Sequence, residues 1–162
     1  MWYIILILII LDGLIIYYIP SYFNNINFLY PMLTLSLISV LANNLSLKKY
    51  YQTVFIMGII YDILYSNIFL YNAFLFLLIS KINTKIYKVL KHNLFLVILI
   101  TILNIIIYDT ITFLLIKFSS YQSVDFIDLI YKIKNSLLLN ILIVFVYYFY
   151  FKKKNIHHKI KW

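Results

Sequence analysis

The chain has 162 residues, 65% of them hydrophobic and only 12% charged, with mean hydropathy +0.96. A water-soluble domain of this length has too little interior to hide so much apolar surface, so the composition implies an integral membrane protein. The net charge of +9 comes from lysines placed between and after apolar segments, which fits membrane topology and anionic lipid better than nucleic acid.

A spanning helix needs about 20 mainly apolar residues. The first candidate span covers residues 2–19 and stops at Pro20. It has no basic leader and no small-residue cleavage site after it, so it is expected to stay as an anchor. Asp12 lies near its middle, beside Gly13.

The second span is expected over residues 28–47 and is closed by Lys48 and Lys49. Ser36, Ser39, Asn43 and Ser46 fall at helical spacing and form one stripe of small polar residues, of the kind that packs between helices.

Residues 50–80 form one apolar run. As a single helix it would be roughly 46 Å long, well beyond the ~30 Å hydrocarbon core. Ser66 and Asn67 near its middle can turn the chain, which gives two short spans, 50–65 and 68–80. Tyr51, Phe55, Gly58, Asp62 and Tyr65 share one face of the first. A carboxylate at bilayer depth costs roughly 2.5–3.5 kcal/mol on insertion scales, so Asp62 calls for a partner, a cavity or a function. Gly58, one turn earlier, lets another helix approach that face closely.

A basic loop over 81–91 leads to a fifth span, 93–116. Thr101, Asn104, Tyr108, Asp109 and Thr112 occupy one arc of it. A polar link with a short interfacial helix is expected before a sixth span, 135–151, and residues 152–162 form a basic tail. The expected fold is therefore one all-α transmembrane domain of six helices. Asp12, Asp62 and Asp109 either line one polar cavity or hydrogen-bond separately, and no lysine is expected deep enough to neutralise them.

Lysine placement orients the bundle. With both termini in the cytoplasm, eleven lysines lie inside and three outside, which satisfies the positive-inside rule. Treating 50–80 as one span splits them five against nine.

Catalysis has little to draw on. The chain lacks Glu, Arg and Cys, and its histidines are His92, His157 and His158. With Gly13 and Gly58 as the only glycines, a phosphate-cradling loop is excluded. The expectation is a protein that is not an enzyme, with no cofactor and no metal.

Residues 31–81 resemble the rod shape-determining protein family MreD of bacteria. The matches are Pro31 near the start of the second span, Phe55, Gly58 and Asp62 in a Phe-x-x-Gly-x-x-x-Asp pattern, and Asn72 of a Leu-Gly-x-Asn element. Leu70 stands where that element has glycine. The resemblance implies a six-span subunit of the elongation (rod) complex at the cytoplasmic membrane, which binds MreC and acts indirectly with MreB, RodA and a penicillin-binding transpeptidase. It also implies a fold like the substrate-binding component of energy-coupling-factor vitamin transporters, and such a component is the rival function. The expected partner-binding or structural positions are Pro31, Ser39, Asn43, Phe55, Gly58, Asp62 and Asn72. Asp12, Asn104 and Asp109 are expected as intramembrane polar residues.

Overall fold

A computed structural model describes residues 2–18, 32–66, 68–90, 93–119 and 125–155. Six helices follow in chain order: α1 (Trp2–Tyr18), α2 (Leu33–Leu41), α3 (Leu47–Tyr65), α4 (Tyr71–Val89), α5 (Leu94–Phe118) and α6 (Phe126–Asn155). No strand occurs among the described residues. Leu94–Phe118 and Phe126–Lys152 are long and apolar enough to cross a membrane.

The predicted turn at Ser66 is present. α3 ends at Tyr65, and Ser66 is extended, its amide donating to the Asp62 carbonyl. Its hydroxyl donates to the Ile68 carbonyl and accepts from the Ile68 amide, a local bond that competes with continued helix. Leu70 then adopts φ 68°, ψ 1°, and α4 begins. The fifth helix starts on Asn93, whose side chain accepts from the Leu96 amide at 2.7 Å as an N-cap.

Three boundaries differ from expectation. Within the described part of the predicted second span, helix persists for only nine residues before a turn over 42–45, so Asn43 leaves the expected stripe and Ser46 becomes the residue preceding α3. The fourth helix runs on to Val89 and takes in most of the expected basic loop. The sixth begins at Phe126 and absorbs the expected interfacial helix. Pro31 lies outside the described residues, as does the end of the basic tail.

α2 is the hub. All nine of its residues are buried, and it packs against each of the other five helices. α3 pairs most extensively with α4, and α5 with α6. The core around α2 joins Ile5 and Ile9 of α1, Tyr50 and Met57 of α3, Phe76 and Ile79 of α4, Val97 and Ile100 of α5, and Val144 of α6.

Polar side chains are set within this apolar core. Asp, Asn, Ser and Thr side chains are buried on every helix, while Phe74, Phe95, Leu142 and Val146 stand exposed. Buried polar groups within the core and a broadly apolar surface are the informative departure from the soluble pattern.

Candidate functional site: three carboxylates at helix junctions

The first four amides of a helix lack partners within the helix, and in an apolar interior each unpaired one costs several kcal/mol. α2 and α4 both begin this way, on Met32 and Leu70, neither of which caps its helix with its own side chain. Each receives its cap from the helix before it.

Asp62 near the end of α3 accepts from the Asn72 amide at 2.9 Å, the Asn72 Nδ2 at 2.9 Å and the Ala73 amide at 3.1 Å. It is 2% exposed. The carboxylate therefore binds the positive end of the α4 dipole and two of its free donors together. Tyr108 of α5 donates to Asn72 Oδ1 at 2.8 Å, which ties the third helix into the cluster. Gly58 makes the close approach possible. A Cβ there would run into the Ala73 backbone, its Cα as well as its amide nitrogen, the latter 2.7 Å away. Phe55, half-buried, lies farther down the same helix and joins no part of this hydrogen-bonded cluster.

Asp12 repeats the arrangement. Its carboxylate accepts from the Leu33 amide at 2.9 Å, the Thr34 amide at 3.0 Å and the Thr34 hydroxyl at 2.6 Å. Asn140 of α6 completes the start of α2, accepting from the Met32 amide at 3.2 Å and the Ser36 hydroxyl at 2.8 Å. Its own amide donates to the Ser136 carbonyl at 2.7 Å. Gly13, next to Asp12, leaves room for the Tyr65 ring, whose hydroxyl donates to the Ile9 carbonyl at 2.7 Å.

Asp109 of α5 faces α6 and meets Lys132 at 3.0 Å, with the carboxylate fully buried and the lysine 31% exposed. This corrects the expectation that no lysine reaches the acids. Because α6 starts at Phe126, residue 132 is already helical and lies against α5. The contact is an ion pair by distance, and neither carboxylate oxygen accepts a well-directed hydrogen bond among the described residues.

The three acids thus serve three successive helix pairs, α1–α2, α3–α4 and α5–α6, each with its own partners among the described residues. Among the described residues no group of acids or histidines is arranged to hold a metal. Asp12, Thr34, Tyr61 and Tyr108 line a small pocket with Met32, Leu35 and Phe76.

A second polar network lies at the opposite end of the core. Ser39 accepts from Asn104 Nδ2 at 2.8 Å, and the Ser39 carbonyl accepts from the Tyr87 hydroxyl at 3.0 Å. Tyr50 donates to the Ile38 carbonyl and accepts from Asn83 Nδ2. The expected α2 stripe is therefore real as far as Ser36 and Ser39. Thr101, Asn104 and Asp109 of the expected α5 arc are buried, and Tyr108 and Thr112 are half-buried. The reading of the sequence missed Asn140 and Ser136. Their signal was two polar residues at i, i+4 within an apolar stretch.

Comparison with protein-family models, with curated proteins and with solved structures finds no match for the chain.

Proposed function

We propose that this chain is an MreD-like scaffold, a non-enzymatic multi-pass subunit of the bacterial rod complex that binds an MreC-like protein in the cytoplasmic membrane. The observation that carries this reading is the junction of α3 and α4. Asp62 and Asn72 hydrogen-bond there, and Gly58 packs against the backbone of the same turn, which brings three of the positions behind the resemblance together. Leu70, where the sequence departs from the family element, has the left-handed conformation that a glycine would adopt without strain. Three motif positions that share a physical role are stronger support than a pattern of letters, though Phe55 takes no part in it.

The proposed topology has six membrane crossings with both termini in the cytoplasm. It rests on the lysine distribution and on the buried polar groups beneath an apolar surface. α2 is a short buried helix of about 13 Å that starts beside mid-α1. Exposed Ile63 and Leu64 at the end of α3 offer the partner's transmembrane helix a surface whose backbone is fixed from behind by Asp62.

Co-purification in detergent with the MreC-like protein of the same cell tests the proposal, and retention of that partner is expected. Failure to retain it, together with tight binding of a vitamin, would replace this reading with a transporter component.

A further inference from the structure

One face of α4 changes character along its length. Phe74 and Leu78 are 64% and 45% exposed, and Lys81, Lys85 and Lys88 continue the same exposed stripe at i+3/i+4 steps. The neighbouring α3 changes at the same level, from exposed Ile56 to exposed Gln52 and Lys49. Two hydrogen bonds set that register: Tyr51 with Thr84 at 2.8 Å and Asn83 with Tyr50 at 3.4 Å. They bring Lys48 and Lys49 beside the lysine-bearing end of α4.

No acid balances this end. The chain has five carboxylate side chains, at positions 12, 62, 109, 125 and 128. Asp62 lies at the far end of α3, and the ion pair found among the described residues is Lys132 with Asp109. The lysines also stand on helix rather than on the expected loop, which fixes their spacing along a rise of about 10 Å. Lys81 is the one nearest the apolar stretch, and its stem can lie along that surface with the ammonium directed toward the headgroups.

We propose that this face of α4, with Lys48 and Lys49, is a docking site for an anionic phospholipid. An acyl chain lies along Phe74 and Leu78, and the phosphate meets Lys81 and Lys85. Shape and charge change together at one level, as they do along a phospholipid. Exposed Val89 and Leu90 beyond the lysines keep the helix end at the interface. The inference rests on α3 and α4 being membrane-embedded and is independent of the rod-complex partner.

Native mass spectrometry of the full chain in detergent micelles with equimolar phosphatidylglycerol and phosphatidylcholine tests it. The wild type should retain phosphatidylglycerol preferentially. Lys81→Gln, Lys85→Gln and Lys88→Gln together should weaken that retention by roughly fivefold per lysine and leave phosphatidylcholine unchanged. The three matching Lys→Arg changes should keep it, and equal unfolding temperatures verify that all variants are folded. Equal retention of the two lipids by the wild type, or no loss in the glutamine variant, would overturn the proposal. So would displacement of the lipid by a polyglutamate peptide at equal charge, which would assign the face to an acidic protein segment. None of these outcomes depends on whether an MreC-like protein co-purifies.

Discussion

Asp62 combines three accepted hydrogen bonds with a helix dipole, and its substitution separates those contributions. Asp62→Leu leaves two backbone amides of α4 unpaired in an apolar setting, at about 1–3 kcal/mol for each orphaned group. Asp62→Asn keeps one accepting oxygen and should lose less. Thermal unfolding in detergent should therefore rank wild type above Asp62→Asn above Asp62→Leu, and equal stability of all three would remove the capping role. Under the proposed function, Asp62→Leu also inserts but loses rod-complex activity. Leu70 offers the opposite sign. It is the non-glycine residue with positive φ among the described residues, and a left-handed conformation costs an L-residue about 1–2 kcal/mol. Leu70→Gly should raise the unfolding temperature provided its half-buried side chain contributes less packing than the strain removed; a fall would show that packing wins.

At the scale of helices, the two glycines behave differently although both sit beside an acid. A methyl at Gly58 meets the Ala73 backbone, which moves only if α4 moves, whereas a methyl at Gly13 meets the end of the Tyr65 ring, which can rotate away. Gly58→Ala is expected to cost about 1–3 kcal/mol, as overpacking does, and Gly13→Ala less. The ion pair between α5 and α6 gives a second comparison. Lys132→Met strands the buried Asp109 carboxylate, and because Lys132 keeps some access to water the loss should fall near about 3 kcal/mol, the low end for a broken buried pair. Asp109→Leu with Lys132→Met should be more stable than Lys132→Met alone, and chemical unfolding of the single and double variants measures this directly.

These helix pairs also show what the sequence made legible. Gly58 and Asp62 could be associated because they lie one helical turn apart, which is what periodicity reads, whereas Asn72 joined them through the resemblance. That Asp62 caps α4 was not read from the sequence, because it depends on where α4 begins. Asn140 reaching Met32 could not be read in that way, because the two are separated by 108 positions and only the packing of α6 on α2 joins them. The early end of α2 was missed because Asn43 and Ser46 were read into the polar stripe of one helix, although Asn43, Asn44 and Ser46 are residues that favour a turn. Lys132 was misplaced for a related reason. Charged residues before Asn135 look like a link, yet they continue one helix with α6, so a lysine assigned to the surface meets a buried acid.

At the scale of the whole molecule, the protein is a bundle in which carboxylates and amides set within an apolar core fasten helix ends around the short α2, with Phe, Leu, Ile and Val also facing outward. The scaffold proposal depends on one geometric element, a hairpin of α3 and α4 that enters from the cytoplasm and turns at the outer face on Asp62. Ile68, two-thirds exposed at that turn, reports its side of the membrane. The chain has no cysteine, so Ile68→Cys introduces a single reactive thiol. In intact cells a membrane-impermeant thiol reagent should label it from outside. Labelling only after the cytoplasmic face is opened would contradict the hairpin, its orientation and the place assigned to Asp62.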